Sequence, residues 1–175
     1  MLLQDLGKIT TFIFDIDGVL TNGEVMTSTS GELLRTFHIK DGYALQLAVK
    51  KGYRVCLISR GRGQAMQQRF EALGIPDIYL GVGDKVEVFN NYLTENKLCK
   101  EETLYMGDDI PDLQVMQLAG IATCPADACE DIKAISAYVS PFKGGKTAVR
   151  DILEKVLKLQ GKWFDANPSA ADASK

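Results

Sequence analysis

Phe12-Ile13-Phe14-Asp15-Ile16-Asp17-Gly18-Val19-Leu20-Thr21 is an apolar β-type run that ends in two carboxylates, with Gly18 turning the chain directly after them. In open α/β sheets ligands bind outside the carboxyl ends of the strands, so the run predicts both a strand and a ligand site at its end. Acids two residues apart on extended backbone face the same side unless the chain turns between them, and like charges that close require a counter-charge. A divalent cation supplies one, and magnesium prefers this oxygen chemistry. Read alone, the same string also fits a turn in which aspartate caps the next segment. A second acidic cluster, Gly107-Asp108-Asp109-Ile110-Pro111-Asp112, follows another short apolar run, Thr103 to Met106, so two predicted strands end in acids.

The 175 residues, 46% hydrophobic and 25% charged, fit one globular domain over residues 1–164. A net charge of −3 and the absence of a basic stripe argue against a nucleic-acid or anionic-membrane partner. Apolar stretches are strand-sized, and the start lacks a basic segment followed by a long apolar core, so a cytoplasmic protein without a membrane span is expected. The four cysteines, Cys56, Cys99, Cys124 and Cys129, show neither a C-x-x-C pair nor zinc-like spacing and read as ordinary reduced thiols. With His38 the only histidine, a His-rich metal site is excluded and a serine or cysteine triad disfavoured.

Strand-like and helix-like segments alternate, the pattern of a Rossmann-like parallel sheet with helices on both faces. Strands are predicted near 10–15, 53–58, 77–80, 103–106, 120–123 and 137–139, and helices over 42–51, 63–73, 84–97, 110–118, 128–134 and 146–159. Residues 23–39 break the pattern with two β-rich arms around Thr27-Ser28-Thr29-Ser30-Gly31, a hairpin inserted after the first strand. Residues 165–175 are small and polar and are expected to be mobile. Two further features join the acids. Ser59, followed by Arg60-Gly61-Arg62-Gly63, ends the second strand and can offer a hydroxyl, amides and cations to an oxyanion, while Lys85 opens the helix after the third. Each has an ordinary reading as well, Ser59 as a helix cap and Lys85 as a solvated charge.

In order and spacing these four elements resemble the motifs of the haloacid dehalogenase superfamily, whose members are mostly phosphatases. The resemblance runs from about residue 10 to 150, with Asp15 and Asp17 as the first motif, Ser59 the second, Lys85 the third, and Gly107-Asp108-Asp109 with Asp112 the fourth. It implies that Asp15 attacks phosphorus to give an aspartyl-phosphate and that Asp17 serves as general acid and then general base. It further implies that Asp15, the backbone carbonyl of Asp17 and Asp108 hold Mg²⁺ with Asp109 close by, and that Ser59 and Lys85 bind the transferring phosphoryl group. Asp112 either orients Lys85 or the metal waters, or caps the helix begun by Pro111.

The intervals between motifs narrow the family. With 41 residues between Asp17 and Ser59 and 25 between Ser59 and Lys85, there is no room for a cap domain. An uncapped site is open to water, so either the substrate is macromolecular or a neighbouring subunit covers it. Thr36 to Gly42, Arg69 to Ile75 and Gly144 to Arg150 resemble the 3-deoxy-D-manno-octulosonate 8-phosphate phosphatase family, capless tetramers acting in synthesis of a cell-surface keto-deoxy sugar. That resemblance implies a homotetramer whose neighbouring subunits enclose the site, a small sugar acid phosphate as substrate, and substrate contacts from His38, Lys40, Asp41 and Arg69, with Asp17 also facing the substrate. Ordinary readings remain for these residues: Asp41 as a helix cap, Arg69 on a solvated face. Lys146 and Arg150 fit either an exposed helical turn or a subunit contact, and Trp163 with Phe164 forms an aromatic pair that would be costly to leave exposed. The family usually follows its second-motif hydroxyl residue with glycine and then arginine. Here Ser59-Arg60-Gly61-Arg62 departs from that order, so either Arg60 or Arg62 replaces the usual cation. Other readings are a phosphatase of nonulosonate 9-phosphates, a nucleic-acid end phosphatase, which the acidic balance disfavours, and a catalytically silent binding or assembly module.

Overall fold

The structure, a computed structural model, describes residues 2–163; Met1, Phe164 and the expected mobile tail 165–175 lie outside the described residues. A short helix α1 (Leu2–Leu6) precedes β1 (Thr11–Phe14), the strand predicted from the opening motif. The chain continues through β2 (Met26–Thr27), β3 (Leu33–Leu34), α2 (Ile39–Lys50), β4 (Arg54–Ile58), α3 (Gln64–Glu71), β5 (Asp77–Tyr79) and α4 (Lys85–Asn96). After β6 (Thr103–Met106) follow α5 (Leu113–Leu118), β7 (Ile121–Cys124), α6 (Glu130–Ile135), β8 (Tyr138–Val139) and α7 (Ala148–Leu159). Six strands form one sheet in the order β5-β4-β1-β6-β7-β8, every pair parallel, with Phe14 level with Leu57 on one side and Met106 on the other. The first strand is therefore central. The strand order reverses on either side of it, which opens a crevice at the carboxyl ends of β4, β1 and β6.

Alternation along the strands builds a core on each face. Phe12, Phe14, Val55, Leu57, Leu104 and Met106 point to the side covered by α1, α2, α3 and α7. Ile13, Cys56, Ile58 and Tyr105 point to the side covered by α4, α5 and α6. Strands buried on both faces read as continuous apolar runs, which is why β1, β4 and β6 are visible in sequence.

The sequence reading did not anticipate α1, and three predicted elements differ most from it. The hairpin is a separate two-stranded ladder, Met26 opposite Leu34 and Thr27 opposite Leu33, closed by Ser28, whose carbonyl accepts from Gly31 N at 3.0 Å, whose N–H donates to Glu32 O at 2.8 Å and whose Oγ accepts from Glu32 N at 2.9 Å. Its arms end early because α2 begins at Ile39, three residues before expectation, where the His38 ring accepts from Lys40 N at 3.2 Å and caps the helix. The expected helix over 110–118 starts as a 3₁₀ turn, Ile110–Asp112, with α5 following. Pro111 fits such a first turn, and the Asp112 side chain is drawn away to Lys85 rather than onto helix amides. Between Asp17 and Ser59 the chain holds only the hairpin, α2 and β4, and between Ser59 and Lys85 only α3 and β5.

Candidate active site

Three strand ends and one helix start converge on a pocket of about 290 Å³ lined by Asp15, Asp17, Ser59, Arg60, Lys85, Asp108 and Asp109 among others. Asp15 directly extends β1, its N–H donating to Met106 O at 3.0 Å. Gly18 then turns the chain at φ +87, and any side chain there would collide with the Asp108 carboxylate, so glycine allows the first and fourth motifs to meet. Ser59 extends β4, donating through its N–H to Tyr79 O at 2.9 Å, while its Oγ accepts from Gly61 N at 3.1 Å. Lys85 is the first residue of α4, which Asp84 caps by accepting from Val86 N and Glu87 N at 2.8 and 3.1 Å.

The ammonium of Lys85 lies 3.0 Å from Asp15 Oδ1 and 2.7 Å from Asp112 Oδ1, with its side chain only 3% exposed. Asp112 also accepts from Tyr105 OH at 2.9 Å. Of the two roles open to Asp112 in sequence, the geometry selects the one that orients Lys85. Asp15 Oδ1 has that ammonium as counter-ion yet receives no hydrogen bond. Burial works against the charge of Lys85, but the carboxylates of Asp15 and Asp112 outweigh it and hold the ammonium above the usual lysine range. Asp15 is pushed up to about 7 by burial and then by Asp112, against the pull of Lys85. Asp108 is pushed up to about 8 by burial, followed by the charges of Asp15, Asp112 and Asp109.

Asp15, Asp108 and Asp112 each bring a carboxylate oxygen within 4.8 Å of the others. Lys85 offsets the charge of only one of these three carboxylates, of which Asp15 and Asp112 are buried and Asp108 half-buried. A hard divalent cation fits the remainder, because oxygen donors converge, one of them lacks a hydrogen-bond donor, and protonation is otherwise the alternative that burial favours. Asp112 already serves Lys85 and Tyr105, which leaves Asp15 and Asp108 as the carboxylates best placed to hold the ion. Asp109 is exposed on the rim, and its backbone carbonyl accepts from Asp112 N at 2.8 Å.

Asp17 is engaged elsewhere. Its two carboxylate oxygens accept from Arg35 Nε at 2.6 Å and Nη2 at 3.0 Å, a bidentate pair formed by a hairpin residue that the sequence reading did not single out. No spacing rule links the two positions, which the hairpin brings together. Of the two candidate replacement cations, Arg60 lines the pocket, its Nη2 reaching Gly83 O at 3.5 Å, whereas Arg62 packs over Gly81. The remaining substrate-contact candidates lie outside this pocket. His38, Asp41 and Arg69 line a narrow crevice between α2 and α3, where the Arg69 guanidinium presses against Gly42. Asp41 is buried, and both its oxygens accept backbone amides at the start of α7, from Arg150 N at 2.7 Å and Thr147 N at 3.2 Å. Lys40 borders a separate groove along α7.

No protein-family model matches the chain. Curated relatives do: it is 32% identical over 159 residues to 3-deoxy-D-manno-octulosonate 8-phosphate phosphatase KdsC of Escherichia coli K12, spanning 91% of this chain and 85% of that protein. The chain belongs to the 3-deoxy-D-manno-octulosonate 8-phosphate phosphatase family. Solved structures of the family superpose closely. The enzyme of Moraxella catarrhalis, in complex with magnesium, phosphate and KDO, matches at a TM-score of 0.89 with 29% identity over 93% of each chain. The cobalt-bound enzyme of Haemophilus influenzae matches at 0.87 with 31% identity, covering 91% of this chain and 94% of that one. Family membership places the fold in the haloacid dehalogenase class, and the protein is a phosphatase, a phosphoric monoester hydrolase.

Proposed function

We propose that this protein is a magnesium-dependent hydrolase of 3-deoxy-D-manno-octulosonate 8-phosphate that works through an aspartyl-phosphate on Asp15. The observation that carries the chemistry is the buried Asp15 carboxylate set beside Lys85, Asp108 and Ser59 at the three strand ends. The sugar assignment is supported by relatives named for this activity and by the Moraxella catarrhalis structure with magnesium, phosphate and KDO.

Asp15 and Asp108, with the Asp17 carbonyl, would hold Mg²⁺, which when bound supplies positive charge against the carboxylates and the phosphoryl oxygens. Asp15 attacks phosphorus in line, the bond to the sugar oxygen breaks, and that oxygen takes the proton of Asp17. Water then attacks the phosphorus of the aspartyl-phosphate and gives its proton to Asp17. The acyl phosphate bond breaks, releasing phosphate and restoring Asp15. Lys85, fixed by Asp112, and the Ser59 hydroxyl bind the phosphoryl oxygens throughout, so their charge and dipole are already in place as negative charge builds.

The pocket is uncapped, and apolar side chains stand exposed on the hairpin and the first turns of α2, among them Met26 at 70% and Ile39 at 80%. This supports a homotetramer in which neighbouring subunits close the site; sedimentation equilibrium tests the assembly. From the substrate for which the relatives are named, we further infer work in the cytoplasm on a precursor of lipopolysaccharide. For the function, phosphate release is measured with Mg²⁺ from 3-deoxy-octulosonate 8-phosphate, nonulosonate 9-phosphates and hexose phosphates, with EDTA as control. A sharp preference for the octulosonate is expected. Equal, slow release from all would remove the substrate assignment, and release unaffected by EDTA would remove the metal.

A further inference from the structure

Arg35 stands out among the residues around the pocket because every nitrogen of its guanidinium is used although it comes from the hairpin, outside the main sheet. Nε and Nη2 donate to the two oxygens of Asp17 at 2.6 and 3.0 Å, and Nη1 donates to Leu33 O at 3.2 Å. Its side chain is 5% exposed against 35% for Asp17, so the cation is the better fixed of the pair. The slot that receives the pair is built for it. A β-carbon on Gly61 would stand 2.8 Å from Asp17 Oδ2, 3.2 Å from Arg35 Nη2 and 3.3 Å from Ser59 Oγ. Gly61 therefore leaves open the space in which acid, guanidinium and the second-motif hydroxyl come together.

We propose that Arg35 is a positioning residue for Asp17: the fork of the hairpin arginine fixes the ionised carboxylate, the form that takes the proton from water in the second step, making placement of that base depend on the docked hairpin. The inference rests on the phosphatase reading of Asp17 given above. Asp17 follows the last residue of β1 by three positions and sits on a turning loop, where an unheld carboxylate rotates freely about its side-chain bonds. A bidentate guanidinium fixes both its position and its plane, which a lysine ammonium, as a point charge, does not. Misplacement of a reacting group by about 1 Å is enough to cost on the order of 100-fold in rate.

The test compares Arg35→Ala, Arg35→Lys, Asp17→Asn and the double variant Arg35→Ala/Asp17→Asn in the full chain, using 3-deoxy-octulosonate 8-phosphate and an aryl phosphate. Arg35→Ala is expected to lower kcat about 10- to 100-fold with KM within about twofold, and Arg35→Lys to recover only part of the loss. The losses from Arg35→Ala and Asp17→Asn should not multiply, since one acts through the other. A large rise in KM at unchanged kcat, multiplying losses, or wild-type rates in Arg35→Ala would each overturn the proposal. Should Arg35→Ala fail to fold, Gly61→Ala keeps the arginine while pressing on the pair, and it must lower kcat in the same way; wild-type kcat in Gly61→Ala counts against the proposal. The wild-type enzyme separates this from the substrate assignment. If it cleaves the aryl ester but not the octulosonate, the sugar reading fails while the same variants still decide the role of Arg35; if it cleaves neither, both fall.

Discussion

At Lys85 a buried ammonium lies between Asp15 and Asp112, and on either side of it a different consequence follows from its removal. Breaking a buried pair by deleting one partner leaves an uncompensated charge and typically costs about 3–5 kcal/mol. Lys85→Ala is therefore expected to lower kcat by two orders of magnitude or more and to destabilise the metal-free protein by about 3 kcal/mol, read by urea denaturation in EDTA. Asp15→Asn is expected to abolish turnover while preserving the circular dichroism spectrum; residual activity near wild type would remove the nucleophile from the mechanism. Asp15, Ser59, Lys85 and Asp108 were readable in sequence because each sits at a fixed offset from the end of an apolar run or the start of a helix. Arg35 was not, since its meeting with Asp17 depends on how a two-residue ladder folds back, and nothing periodic in residues 23–39 reports that. Tyr105 likewise reads as one more buried strand residue, although its hydroxyl helps to fix Asp112.

At the scale of elements, the parallel strands were legible through continuous apolar runs and α2, α3 and α4 through their periodicity, while boundaries shifted wherever a side chain supplied an unexpected cap. His38 moved the start of α2 to Ile39, and Lys85 took Asp112 from the helix it was placed to cap. Asp41 provides the tie that sequence cannot show: from the first turn of α2 it caps α7, more than a hundred residues away, at Thr147 and Arg150. Just before α7, Gly145 N donates to Val19 O at 2.9 Å, and Gly144 packs so closely on Gly18 that no side chain fits. The α2–α7 tie therefore braces the turn that follows Asp17. Loss of a capping carboxylate costs about 1–2 kcal/mol, and at this chain length each kcal/mol lowers Tm by about 2–4 °C. Asp41→Ala is expected to lower Tm by several degrees and to leave KM for the sugar phosphate within about twofold. A tenfold rise in KM at unchanged Tm would instead make Asp41 a substrate contact.

For the molecule as a whole, the concentration of carboxylates at the strand ends makes stability depend on metal and pH together. In the protein without metal, Asp15 and Asp108 are raised from 3.8 to about 7 and about 8, with burial the leading cause for both. Between the unfolded value and those raised values the native state binds more protons than the unfolded chain, so the stability contributed by these groups falls as pH rises. The fall begins above about pH 4 and is complete once both groups have ionised, above about pH 8. A bound divalent cation reverses the effect, because it favours the ionised carboxylates and is itself bound only as they lose their protons. Melting curves recorded with EDTA and with saturating Mg²⁺ should thus diverge with pH: little stabilisation by Mg²⁺ at pH 5, and a clear rise in Tm at pH 8. Proton release on Mg²⁺ addition, measured by calorimetry in buffers of different ionisation enthalpy, should be largest between about pH 6 and 8, where Asp15 and Asp108 still hold protons that the metal can displace. Asp108→Asn should remove most of both signals while leaving the EDTA curve at pH 8 at or above that of the wild type, because the variant lacks one of the charges that burial opposes. A Mg²⁺-induced shift in Tm that is the same at pH 5 and pH 8 would mean that the ion binds away from these carboxylates.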